Sequence, residues 1–128
     1  MTVPHSVPLE EDLLALWRRY QSTLPAEFHP ALRATLASAI DAARLCADQP
    51  GRDAYDVQQA AAEDLPALLS LYAESPRGDS EQRLLLEQLA LIEQHMSRIV
   101  REHREAQAGA LAAQSEYLRS KYGRQDEF

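Results

Sequence analysis

A hydrophobic seam with alternating steps of four and three runs through almost the whole last third of this 128-residue chain. Leu85, Leu89, Ile92, Met96, Ile99, His103, Ala106, Ala110, Ala113 and Tyr117 follow one another in that rhythm. It is the a/d repeat of a long helix that buries one narrow stripe against other helices. Asp79 or Ser80 is placed to cap this helix, Asp79 with Gln82 having the capping-box spacing, and Gly123 is placed to end it. A helix over about 80–122 has roughly 43 residues, which at 1.5 Å each make a rod of about 65 Å. Gly109 costs it about 1 kcal/mol relative to Ala without breaking the rhythm.

Shorter helices precede it. Leu9, Leu13, Leu16, Trp17 and Tyr20 share a face of a first helix ending near Gln21, with Pro8 in its first turn and residues 1–8 expected as an extended arm. Pro25 and Pro30 punctuate a connector, and a second helix from Pro30 to about Asp48 presents Leu32, Leu36, Ala39, Ile40, Ala43 and Cys46. Gln49-Pro50-Gly51 stops it. A third helix starts near Asp53 as N-cap and aligns Val57, Ala61, Leu65, Leu68 and Tyr72. Pro66 inside that pattern predicts a kink or a break recapped by Asp64. The expected architecture is an all-α single domain over 1–128, a bundle of about four helices followed by a flexible tail at 123–128.

The Ser75–Gly78 turn is short, so the third and fourth helices are expected as an antiparallel hairpin, with Leu85, Leu89, Ile92, Met96 and Ile99 on Val57, Ala61, Leu65, Leu68 and Tyr72. Asp64-Leu65-Pro66-Ala67-Leu68-Leu69-Ser70-Leu71-Tyr72, Leu84-Leu85-Leu86-Glu87-Gln88-Leu89 and Tyr117-Leu118-Arg119-Ser120-Lys121-Tyr122-Gly123 together resemble a helical segment found in assorted bacterial proteins of unknown function. In that segment an L-P-x-x-L-x-x-Y helix precedes an L-L-E-Q-L helix. The resemblance implies the same hairpin from Asp53 to Tyr122 and brings no catalytic residue with it.

The net charge of −7 opposes nucleic-acid binding, which needs a basic footprint to displace counterions. Arg98, Arg101 and Arg104 are interleaved with Glu102 and Glu105 and read as a solvated, ion-paired helix face. Cys46 is the single cysteine, so no internal disulfide forms, and its place on an apolar face predicts a buried, inert thiol. Residues 1–8 lack the pattern of a signal peptide and no segment has the apolar length of a membrane span, so cytoplasmic residence is the expectation.

Chemistry is sparse. No Glu is followed three residues later by His, which argues against a di-iron bundle site. His95 and His103 are eight residues apart, more than two turns, and need ligands from elsewhere to share a metal. Met96 sits on the seam as core filler, and Arg77-Gly78-Asp79-Ser80, which spells an adhesion tetrapeptide, has the residue types of a turn leading into a helix. No catalytic residue, metal site or cofactor is assigned.

The third helix reaches only to about Val100 of the fourth. Beyond it the seam turns to Ala106, Ala110, Ala113 and Tyr117, flanked by Leu111 and Leu118, and is left to helix one, another chain or nothing to cover. These six are the expected interface of a homodimer, or of an unknown protein partner, and His103 just before them is a candidate for fixing register or sensing pH. The expected function is that of a non-enzymatic cytoplasmic helical protein acting through protein–protein contacts. The alternatives are a small-molecule or metal-binding bundle around His95 and His103, or an enzyme of an unrecognised helical family.

Overall fold

The structure, a computed structural model, describes residues 6–123. Its helices are α1 (Ser6–Tyr20), α2 (His29–Cys46), α3 (Arg52–Gln59), α4 (Leu65–Glu74) and α5 (Asp79–Tyr122), with a short 3-10 turn at Ala26–Phe28 and a wide π turn at Ala60–Asp64. The fold is an all-α bundle in which α3, the π turn and α4 form one continuous rod, so four rods make the domain. No helix among the described residues is long and apolar enough to cross a membrane.

Contacts fix the directions. Glu10 bonds Arg44 at one end of the α1–α2 pair and Trp17 stacks edge-on against His29 at the other, so the two are antiparallel. Thr35 meets Leu89 and Cys46 meets His103, so α2 and α5 run parallel. Asp53 meets His103 and Asp56 meets His95, so the α3–α4 rod runs antiparallel to α5. The hairpin implied by the leucine-rich motifs is present, and the core lies on the bundle axis.

The first apolar face is as expected: Leu13, Leu16 and Tyr20 are buried, with Leu9 and Trp17 packed at the edge. The helix itself begins earlier. Ser6, Val7 and Pro8 are helical rather than an extended arm, because the first-turn N–H groups have no intrahelical partner and proline forfeits nothing there. The remainder of the expected arm, residues 1–5, and all but Gly123 of the expected tail lie outside the described residues.

Pro66 neither breaks the third rod nor is recapped. Asp64 has helical backbone angles and makes no side-chain cap bond. The chain instead widens for one turn, with the Leu65 N–H bonding to Ala60 O, five residues back. A wide turn gives the proline ring room against the preceding carbonyls, whose clash is what ordinarily kinks a helix. The widening also shifts the buried face, so Leu69 is buried where Leu68 was expected and Leu68 sits at the edge.

Two caps differ from expectation. Gly51 precedes α3 with φ +155°, which puts Asp53 inside the first turn, and Gly78 precedes α5, which does the same to Asp79. Carboxylates there still favour the positive helix end. Arg77 has φ +59°, its N–H bonding Ser75 Oγ, so the tetrapeptide Arg77–Ser80 is a turn into a helix.

The main partner of α5 is α2, not the α3–α4 rod. The α2 surface carries Ala31, Thr35, Ser38, Ala39 and Ala42, small side chains that let a neighbouring helix come close. Thr35 is buried, and its hydroxyl lies 2.9 Å from Ala31 O and 3.2 Å from Leu89 O. One turn on, Ser38 Oγ is 3.3 Å from both Glu93 Oε2 and Ser97 Oγ, and Ser97 donates to Glu93. Leu85, Leu89, Met96 and Ile99 are buried as expected, whereas Ile92 is half-buried on the α3 side.

Candidate functional site

The seam of α5 leaves the bundle at His103. From Arg104 to Tyr122 every residue is exposed, and the helix is unbroken through Gly109. These residues form an arm of about 28 Å at 1.5 Å per residue. Helix α1 does not reach it, because α1 packs along α2 and the π turn. All six expected interface residues, Ala106, Ala110, Leu111, Ala113, Tyr117 and Leu118, stand on this arm without cover. Leu111 is 72% exposed, Tyr117 54%, Leu118 42% and Tyr122 49%, large apolar surfaces that a lone helix in water does not need.

At the root of the arm, where α5 parts from α2, lies an open groove of about 490 Å³. Ser38 and Asp41 of α2 form one wall, and Val100, Arg101, Arg104 and Glu105 of α5 are on the other. Sequence reasoning missed this groove because its two walls are sixty residues apart in the chain.

His103 faces its own chain. Its Nε2 is 3.3 Å from Asp53 Oδ2 and 3.8 Å from Cys46 Sγ, so it ties the ends of α2 and α3 to α5 where the arm begins. Cys46 is buried, and burial first and the Asp53 carboxylate second push its thiol above the ordinary range. Both the thiol and the carboxylate approach the same ring nitrogen. A relay that activates a thiol needs one nitrogen for each, so this trio is structural.

His95 makes a separate pair, with Asp56 Oδ2 3.0 Å from Nε2. The Arg98 guanidinium donates to Nδ1 at 2.6 Å, so Nδ1 is the acceptor and Nε2 carries the proton. The two histidines thus go to two different aspartates and do not converge, and no cluster of three metal-ligating side chains occurs among the described residues. A ligand pocket built on both histidines has no geometric support.

No protein-family model, curated protein or solved structure matches this chain.

Proposed function

We propose that the protein acts through protein–protein contact and that its arm, residues 104–122 of α5, pairs with the arm of a second copy. The observation that carries this reading is the arm itself: nineteen consecutive exposed helical residues bearing two leucines and two tyrosines. Neither helix covers itself, and a second identical helix covers both at once in a twofold assembly, the commonest closed form of oligomer.

Charge supports the same occupant. The whole chain carries −7, yet the arm holds Arg104, Arg119 and Lys121 against Glu105 and Glu116. Two arms therefore meet without the repulsion that two acidic bundles would face. The bundle then serves as a rigid mount, and its anchor is the His103–Asp53 contact at the arm's root. Cytoplasmic residence fits this role, with the single thiol buried rather than used in a bridge.

Sedimentation equilibrium over a range up to about 100 μM tests it, since a short two-helix contact is expected to associate in the micromolar range. A monomer–dimer equilibrium is the expected result, and Leu118→Glu, at an exposed position that leaves the bundle intact, is expected to return the protein to monomer. A wild-type protein that remains monomeric throughout overturns the reading.

A further inference from the structure

A second groove lies on the bundle itself, along the outer side of the α3–α4 rod and α5. Next to the Ser75–Gly78 turn it is a cleft of about 160 Å³ between Leu68, Leu71 and Tyr72 of α4 and Glu81, Leu84 and Leu85 of α5. Further along the same two rods it is a cleft of about 310 Å³, with Asp56, Ala60 and Asp64 on one wall and Leu91, Ile92 and His95 on the other. From Glu81 to His95 α5 rises about 21 Å, so the two clefts in line span about four helical turns. Helix α5 packs mainly on α2, which leaves this outer side open. The π turn keeps the groove straight. On the rod Asp56, Ala60, Asp64, Leu68 and Tyr72 follow at steps of four, each advancing about 40° round a regular α-helix. The extra residue taken up by the wide turn at Ala60–Asp64 offsets much of that drift, so these positions stay along one wall.

The groove is apolar along its length and acidic at its edges. Leu71, Leu84 and Leu91 are each more than half exposed. Leu84 and Leu91, seven residues apart, share one strip of α5, and Leu71 shares the first cleft with Leu84, so the three form a patch rather than scattered surface leucines. The charge of the chain is concentrated on the same walls. Residues 52–74 and 79–95 hold nine carboxylates against Arg52 and Arg83, which accounts for the whole −7. Asp56, Asp64 and Glu81 line the groove, and neither Asp64 nor Glu81 is ion-paired among the described residues. Arg98 stands at the far end, bonded to His95.

From this combination we infer that the groove receives a cationic amphipathic helix of a partner protein, about four turns long. Aliphatic side chains at i, i+3 or i+4 and i+7 would lie among Leu71, Leu84 and Leu91, with Lys or Arg along the helix edges against Asp64 and Glu81. Among the described residues there is no sheet edge for an extended peptide to join, and a valley between two helices receives a third. Carboxylates on both walls turn away an anionic lipid surface. A second copy of this chain is a poorer occupant. Its arm carries one net positive charge, and its bundle would bring a further −7 against the first. The groove lies on the bundle and away from residues 104–122, so its occupant does not depend on whether arms pair.

The probe is a fluorescein-labelled peptide of about sixteen residues, with leucines at i, i+4, i+7 and i+11 and lysines on its flanks, titrated with the protein and followed by anisotropy. Binding in the micromolar range is expected, and Leu71→Glu and Leu84→Glu should each weaken it about tenfold or more. Both leucines are exposed, so these variants keep the fold, which circular dichroism checks. Asp64→Asn with Glu81→Gln should weaken it about fivefold and flatten its dependence on salt. No binding up to about 1 mM overturns the inference, as does unchanged affinity in both leucine variants. Equal binding of a scrambled peptide of the same composition means charge attraction alone, and equal binding of a peptide with glutamates for lysines means that charge selects nothing; either overturns it. In sedimentation Leu84→Glu should associate as wild type does, and a shift to monomer means that a second copy fills the groove and also overturns it. A monomeric wild type that binds the peptide removes the pairing of arms and supports the groove.

Discussion

Truncating both arm leucines, Leu111→Ala with Leu118→Ala, measures how much of the association is apolar burial. Each substitution deletes three carbons, worth about 2.4 kcal/mol for a leucine moving from full exposure to full burial at about 0.8 per carbon. In the free arm Leu111 is 72% exposed and Leu118 42%, so the surface each still has to lose is roughly that fraction of a whole side chain. That sets about 1.7 and 1.0 kcal/mol as the most each can contribute per copy, and a twofold dimer counts each twice. A two-helix contact covers about half of such a face, so the expected loss is near 3 kcal/mol, or roughly a hundredfold in dissociation constant. The assay is sedimentation equilibrium of wild type and double variant, with circular dichroism to confirm unchanged helix content, alanine being the better helix former. A dissociation constant within twofold of wild type would refute the reasoning, since these leucines would then not be what the second copy covers.

Leu89 is fully buried in the core beside α2, so Leu89→Ala is expected to cost about 2–5 kcal/mol by chemical denaturation; Ile92→Ala, at a half-buried position, should cost clearly less. Cys46 should resist alkylation in the native protein until the pH passes well above the ordinary thiol range, and react fast once unfolded. Because its folded value is raised, its contribution to stability is whole below the unfolded thiol's pKa and is lost as pH rises through the folded one, so the stabilities of wild type and Cys46→Ala should change with pH in parallel on either side of that window and diverge within it. Gly109 has open space where a Cβ would go, so Gly109→Ala should stiffen the arm helix by about 1 kcal/mol and leave dimer affinity unchanged, which thermal melting and sedimentation read separately.

The length of α5 was legible because a heptad rhythm kept over ten positions excludes a slip, and Gly109 alone cannot break a helix with good formers on both sides. Its principal partner was not. Periodicity tells which face is buried but not what buries it, and the short Ser75–Gly78 turn directed attention to α4, whereas the small side chains around Thr35 and Ser38 bring α2 closer. The π turn was hidden for a similar reason. Pro66 announces a disturbance, yet a widened turn, a kink and a break share that signal, and only packing selects among them. Leu69 replaced Leu68 in the core as the direct consequence.

That the third helix cannot cover Ala106, Ala110, Ala113 and Tyr117 was readable from helix lengths, whereas only the fold shows that the first helix does not cover them either. The groove at the root of the arm required the fold, which places Ser38 and Asp41 against Arg101 and Arg104. His103 shows the opposite limit. Its place in the rhythm suggested a subunit seam, and the fold gives it Asp53 and Cys46 of its own chain.

Hydrogen–deuterium exchange along α5 at low and high protein concentration tests the central claim most directly. An arm covered only by a second copy should exchange rapidly over 104–122 when dilute and gain protection as concentration rises, with the α2–α5 core around Thr35 and Leu89 protected at both. Protection of the arm already complete in the most dilute sample would mean cover from its own chain, and an arm left unprotected at every concentration would mean that no second copy covers it. Either result would contradict the account.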